Sequence, residues 1–335
     1  MVLAVFRAPD LVSAAIERVL SSTEVNLELV VVDDGSGDGT RAAIEAAIAG
    51  DRRARLVALD ANRGLGNARR VGFSAARGRY VWNVDVDDDW PVDAPARLVR
   101  AAERADADIV LASAVRRSIG GFDRPLAAPD LGEVIDGPAA LGLLLSGRVT
   151  GHLWNKLIAR RRLEPDIYTD AVIHSDLVMV VPLLARAERV VATSDVVYVY
   201  RETPGSNIRS RTPRGDYLDE AWRRLEEEAR TRAPHLIDTP DYRRFREHTI
   251  VLSLLRDAVR GDYPAAESRR RLSEARSRVS VRGVMAVARA GQRRDALLLV
   301  LSVVSPPLFR RVMRRGSASA ARNTSSSAGM TASGE

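Results

Sequence analysis

Five apolar runs, each short enough to be a single strand, recur through the first 115 residues with helix-periodic segments between them. They are VLAVF (2–6), LELVVVDD (27–34), RLVALD (55–60), RYVWNVD (79–85) and ADIVLAS (107–113). In the first gap Leu11, Val12, Ile16, Val19 and Leu20 repeat at the spacing of one helix face, after a Pro9-Asp10 start that suits a helix N-terminus. Segments 40–49, 67–76 and 92–105 carry the same period. Strands that are apolar at nearly every position need cover on both faces, and strand-helix-strand repetition provides it on a parallel sheet. The expected fold class is α/β, a mainly parallel, Rossmann-like sheet flanked by helices.

Past residue 115 the pattern changes. Gly, Pro and Asp break up 116–150 around one apolar run, PAALGLLLSG. HLWNKLIARR (152–161) follows, then HSDLVMVVPLLARAERV (174–190), which reads as a helix in spite of Pro182, and VVYVYR (196–201), which reads as a strand. From 213 the chain is helical in pattern and rich in Arg. Thirteen arginines fall between 269 and 315 against Glu274 and Asp295. Residues 316–335 form a Ser/Ala/Gly-rich tail expected to be disordered. The expected organisation is a domain over 1–212 in two halves (1–115 and 116–212), a helical region over 213–315, and the tail.

Composition narrows the chemistry. With no cysteine and only four histidines, a thiolate site is excluded, and a resident metal would be held by oxygen, favouring Mg²⁺ or Mn²⁺ over zinc. A net charge of +7 invites an anionic partner. Lys156 is the one lysine, however, so the basicity is almost all arginine, as a GC-rich genome would also produce. No nucleic-acid motif is present, and 5% aromatic residues leave few platforms for base stacking, so no nucleic-acid partner is expected. No run of 18 apolar residues predicts a spanning helix, and MVLAVFRAPD lacks the features of a signal peptide, so a cytoplasmic location is expected.

Two acidic clusters stand at strand ends, where open parallel sheets bind ligands. Asp33 and Asp34 open the turn in VVVDDGSGDGT; Asp85, Asp87 and Asp88 end the strand in YVWNVDVDDDWP. The first also suits an ordinary Gly-Ser-Gly turn, and the second a hydrated loop before the helix at 92. Asp85 and Asp87, two apart on an extended chain, point to one side. Carboxylates so placed repel unless a cation or a proton is shared between them.

The runs VVVDDGSGDGT, NRGLGNARRVG and GRYVWNVDVDD, in that order, resemble the nucleotide-sugar half of the family 2 glycosyltransferases over roughly residues 1–115, with a thinner resemblance from LWNK to YVYR. The resemblance implies a GT-A fold, a nucleotide-sugar donor such as a UDP-sugar, a divalent Mn²⁺ or Mg²⁺ at a D-x-D, and inversion at the anomeric carbon. It puts Asp34 at the nucleobase beside Phe6 and Arg7, where the family usually has Asn in place of Arg7. Asn62, Gly64, Ala68 and Arg69 match the segment that closes over the nucleotide, with Arg70 replacing a common Asn. Asp85 falls near the ribose and Asp87 on the metal.

In HSDLVM, Asp176 aligns with the general base of the family's Glu-Asp pair, and Ser175 replaces the Glu. Asp170 is the rival base, and His174 a further metal or phosphate contact. LWNK resembles the acceptor side, with Trp154 stacking on a sugar and Asn155 and Lys156 as polar contacts. Plainer roles stay open: Asp176 as an acid favoured by a helix N-terminus, Trp154 as a core residue. The implied partners are the donor and a glycan or lipid-linked acceptor, in bacterial cell-surface polysaccharide synthesis. The stretch 296–315, too short to span, suits the surface of an anionic membrane, which would make the protein peripheral on the inner face of the plasma membrane. Ser175 and Arg70 leave open a catalytically degenerate relative. A nucleotidyltransferase would ask for a Gly-rich loop after the first strand, and VFRAPD has none.

Overall fold

The first strand, β1 (Val2–Val5), is buried along its whole length and pairs in parallel with β2 (Leu29–Asp33) on one side and β4 (Tyr80–Asp85) on the other. The computed structural model describes residues 1–24, 26–126, 131–171, 174–202 and 212–314; the tail lies outside the described residues. Between these strands run α1 (Pro9–Leu20), α2 (Thr40–Ile48), β3 (Ala54–Ala58) and α3 (Leu65–Ala75). After β4 come α4 (Ala94–Ala105), β5 (Ile109–Arg117), β6 (Asp123–Leu126), α5 (Gly137–Ser146), β7 (Lys156–Ala159), α6 (Ser175–Arg186) and β8 (Val190–Arg201). The sheet order is β3-β2-β1-β4-β7-β5-β6, with β8 on the other edge of β5.

Helix periodicity is spent as expected: α1 buries Val12, Ala15, Ile16 and Val19, and the sheet-facing side chains Leu3, Val31, Trp82, Val84 and Val110 join them in one core. The sheet is less parallel than the strand-helix alternation predicts. β7 runs antiparallel to both β4 and β5, and β6 antiparallel to β5. LWNKLIA therefore supplies a short central strand, which its four-residue length hid from a periodicity argument. β8 also begins at Val190, six residues before the run VVYVYR.

The chain divides into two compact units. One comprises the described residues up to 202 with Arg223–Ile237; the other comprises 212–222 with the residues from Asp238 onward. Helix α7 (Gly215–Arg232) gives residues to each. The second unit is wholly helical: α8 (Pro240–Phe245), a π-helical turn over Arg246–Val251, α9 (Leu252–Arg260), α10 (Ala265–Ser277), α11 (Val281–Arg289), α12 (Arg293–Val304) and a last helix over 306–314. Glu247, fully buried in the π-helical turn, accepts hydrogen bonds from Ser280 N and Oγ at 3.2 and 2.9 Å and so ties that turn to the start of α11.

Candidate active site

The order of strand formation reverses between β1 and β4: the chain steps outward from β1 to β2 and β3, then returns to the other side of β1 as β4. Such a switch point opens a crevice at the carboxyl ends of the two strands. Phe6 and Arg7 leave β1 there, Asp33 and Asp34 end β2 close by, and Asp85 to Asp89 follow β4.

On the β1 side, Phe6 is 41% exposed, and the Arg7 guanidinium lies 5.1 Å from its ring centroid. Arg7 adopts φ +50°, and its backbone N–H donates to Ser36 Oγ at 3.0 Å. Asp34 is 2% exposed, and both its oxygens are engaged: Oδ1 accepts from Arg63 N and Oδ2 from Gly64 N, each at 2.9 Å. Burial raises its pKa, and these two N–H groups pull against the rise. Asp34 thus clamps the loop that begins at Asn62, whose Oδ1 also accepts from Gly64 N at 3.1 Å. Gly64, at φ +90°, turns the chain into α3. Gly66 is required by close approach: a Cβ there would stand 2.5 Å from Thr169 O and 2.7 Å from Ala171 O.

Arg69, on the inner face of α3, is 1% exposed and joins two regions far apart in sequence. Its Nη2 donates to Asp85 Oδ1 at 2.9 Å, and its Nη1 to Ser175 Oγ at 3.1 Å and to Asp176 Oδ1. Burial works against the charged guanidinium, but Asp176 and Asp85 outweigh it and shift its pKa upward. Asp176 also accepts from Leu153 N at 3.1 Å through Oδ2. Burial would raise the Asp176 pKa, yet Arg69 beside it holds the carboxyl below the ordinary range. Ser175, where the family resemblance leads one to expect Glu, is the third group on Arg69. Asp170 is exposed, with no bond recorded for its side chain among the described residues, and His174 precedes α6 at φ +62°.

The aspartates after β4 have divided roles. Asp88 is 8% exposed; Tyr198 Oη donates to its Oδ2 at 2.9 Å and Arg201 N to its Oδ1 at 2.8 Å. Burial, then Asp85, pushes its pKa up to about 8. Tyr198 Oη in turn accepts from Asp85 N at 3.0 Å. Asp89 is ion-paired with Arg18 and, at 2.6 Å, with Arg201. Asp87 has neither a cation nor a side-chain partner among the described residues, and burial followed by the Asp85 charge raises its pKa.

On the acceptor side suggested by LWNK, the three side chains are internal. Trp154 is 2% exposed and stacks between His152 at 4.6 Å and Tyr198 at 4.7 Å. Asn155 Nδ2 donates to Ala112 O at 3.2 Å. Lys156, 1% exposed, gives its ammonium to Thr150 O, His152 O and Asn155 Oδ1 at 2.7, 2.6 and 3.0 Å, while burial lowers its pKa to about 7 against the pull of Asp176. None of the three presents a free polar or ring face to solvent; they brace the loop from which Leu153 N reaches Asp176. His152 caps this aromatic column with a buried Nδ1 that has no partner among the described residues, and burial lowers its pKa to about 4.

Sequence reasoning did not single out Tyr198 or His152, because an aromatic residue in a strand and a lone histidine in a loop carry no distinguishing pattern.

The residues present suit a divalent ion of the Mg²⁺ or Mn²⁺ kind. Among the described residues no group of three or more His, Asp or Glu is placed to hold a metal, so a full protein cage is not on offer. One or two carboxylates that share the ligand sphere with phosphate oxygens and water are the usual arrangement for these ions. The unpaired Asp87, its pKa raised beside Asp85, is a donor of that type.

An α/β sheet with acids at the carboxyl ends of the strands beside its switch point has the architecture of the GT-A glycosyltransferase fold. The solved structure of S. aureus TarS 1-349 in complex with UDP aligns over 94% of this chain and 90% of its own, with TM-score 0.64 and 17% identity. Residues 1–162 match the model of Glycosyl transferase family 2, so this segment is similar to that family. Among curated relatives, the succinoglycan biosynthesis protein ExoO of Rhizobium meliloti (strain 1021) is 49% identical over 106 residues, 32% of this chain and 29% of ExoO. An uncharacterised glycosyltransferase, EpsJ, of Bacillus subtilis (strain 168) is 28% identical over 215 residues, 62% of this chain and 61% of EpsJ. The chain thus spans less than two thirds of either relative.

Proposed function

We propose that this protein transfers a sugar from a nucleoside diphosphate donor, a UDP-sugar, to a hydroxyl of a glycan or lipid-linked acceptor, with inversion, in the synthesis of a bacterial surface polysaccharide. The observation that carries the reading is Asp87: a half-buried carboxyl at the switch point, with its pKa raised and no cation of its own, in a run whose other acids are all partnered. The ExoO relative, named for succinoglycan synthesis, and the UDP-bound structure with the same fold support the choice of polymer and donor.

Phe6 and Arg7 offer a ring face and a cation to the base, with Asp34 and Asn62 holding the loop at Gly64 closed beside it. Asp87, with Asp85 beside it, would hold a divalent ion that neutralises the charge developing on the departing diphosphate. Arg69 fixes Asp85 and Asp176 with one guanidinium, which couples the donor side to the acceptor side. Asp176 is the general base. Its depressed pKa keeps it ionised but makes it a weak base, so the hydroxyl proton reaches it late, once the acceptor oxygen has begun to bond to the anomeric carbon. Trp154, Asn155 and Lys156 serve the acceptor side from within by positioning Leu153 N on that carboxylate.

Release of UDP from UDP-sugars in the presence of Mn²⁺, with and without oligosaccharide or lipid-linked acceptors, tests the reading. Asp87→Ala and Asp176→Asn are each expected to lower turnover by about 10²-fold or more. Full activity in either variant sinks the role given to that residue, and no turnover of any nucleotide-sugar by the parent sinks the reaction.

A further inference from the structure

Helix α12 is apolar on both sides. Ala296, Leu298, Leu299 and Ser302 are buried within the second unit, while Leu297, Val300, Val303 and Val304 remain 65, 42, 45 and 76% exposed. The outer stripe continues past Ser305: Leu308 and Val312 are 47 and 39% exposed, with Phe309 and Met313 turned inward. Positions 297, 300 and 304 share one face of α12, and 308 and 312 share one face of the next helix, which starts after the non-helical Ser305. A helix apolar all round is ordinarily buried all round. Here eight of the fifteen large apolar side chains left exposed among the described residues fall between 281 and 312, and such a cluster marks a surface for a partner.

Charge decides which partner. Between 281 and 314 there are seven arginines and one acid, Asp295, which is already taken by Arg256 at 2.6 Å and His248 at 3.0 Å. Arg293 and Arg294 stand at one end of the stripe, and Arg310, Arg311 and Arg314 at the other. A second copy of the chain would bring these arginines against their own kind. A nucleic acid would use the arginines and leave the apolar stripe in water. An anionic bilayer accepts both, with the apolar side chains at the acyl boundary and the guanidinium groups among the headgroups. No helix among the described residues is long and apolar enough to cross a membrane, so the contact lies in the plane of the surface.

We propose that the second unit rests on an anionic bilayer through the outer face of α12 and of the helix over 306–314. The inference does not depend on the sugar-transfer reading. Flotation of the full chain with phosphatidylglycerol/phosphatidylcholine vesicles tests it. Binding is expected to the anionic vesicles, about 10-fold or more above pure phosphatidylcholine, and to fall with added salt. The pair Leu297→Glu/Val304→Glu is expected to lower it about 100-fold. Phe122→Glu, at a 77% exposed site in the first unit, should bind as the parent does. A thermal melt of each variant confirms folding, and Arg293→Glu/Arg294→Glu gives a second, purely electrostatic weakening. The proposal is overturned by failure to bind anionic vesicles, by binding that survives the Leu297→Glu/Val304→Glu pair, by a dimer that this pair dissolves, or by a DNA complex formed in place of vesicle binding.

Discussion

Replacing Arg69 by Met removes one guanidinium of similar length and leaves two carboxylates facing each other without a cation. Breaking a buried ion pair by deleting one partner costs about 3–5 kcal/mol, because the other charge stays behind uncompensated. Arg69 is 1% exposed, whereas the Asp85 and Asp176 side chains keep 26 and 19% exposure, so water compensates part of the loss. The low end, about 3 kcal/mol at pH 7, is the expected cost, a factor of about 150 in the folding equilibrium. Urea unfolding followed by tryptophan fluorescence reads it well, since Trp82, Trp90 and Trp154 all lie in the core of the first unit. The pH dependence adds a sign. In the parent, Arg69 holds the folded Asp176 pKa below its unfolded value, so that contribution is present above the unfolded pKa and is lost as pH falls through the folded one. In the variant, burial without Arg69 puts the folded pKa above the unfolded value, so acidification relieves strain there. The two stability curves should draw together as pH falls from 7, and meet only below the ordinary carboxylate range, where the parent's own contribution is lost. A cost under about 1 kcal/mol, or one that stays constant as pH falls, would refute the view that Arg69 is the hub of the site.

Three further outcomes follow from the same geometry. His152, with its folded pKa lowered to about 4, makes the parent lose stability as pH falls from 6.5 toward 4, by up to about 3 kcal/mol; His152→Gln should flatten that slope in acid melts. Asp88, with its folded pKa raised to about 8, binds its proton more tightly folded than unfolded, so stability contributed there declines as pH rises from about 4 to 8. In metal-free buffer Asp88→Asn should be nearly neutral near pH 4 and increasingly more stable than the parent from pH 6 to pH 9; equal curves across that range would contradict the assignment. Gly66→Ala, which forces a Cβ to 2.5 Å from Thr169 O, should cost about 2 kcal/mol or more in denaturant melts and weaken nucleotide binding with it.

Much of the first 115 residues could be read in advance because helix and strand periods are local properties, and β1 to β4 with α1 to α4 fall where those periods change. The antiparallel insertion of β7 could not, since the pairing of Lys156–Ala159 with both β4 and β5 is decided by long-range packing that no four-residue window contains. The strand ends that carry acids were legible for the same local reason. Which acid keeps a free carboxyl was not: Asp88 is hydrogen-bonded by Tyr198 Oη and Arg201 N, and Asp89 is ion-paired with Arg18 and Arg201, all remote in sequence. Trp154, Asn155 and Lys156 show the opposite case, a motif that suggests surface contacts and whose side chains find their partners inside the fold.

Thermal denaturation of the parent and of Asp87→Ala, each with UDP alone, Mn²⁺ alone and both together, bears most directly on the reading of the site. A ligand at a hundred times its Kd stabilises the native state by about 2.7 kcal/mol. The parent should melt higher only when UDP and Mn²⁺ are present together, and Asp87→Ala should show no such gain. Equal stabilisation of the two proteins, or no response of the parent to UDP with Mn²⁺, would contradict a metal-bridged diphosphate at the end of β4.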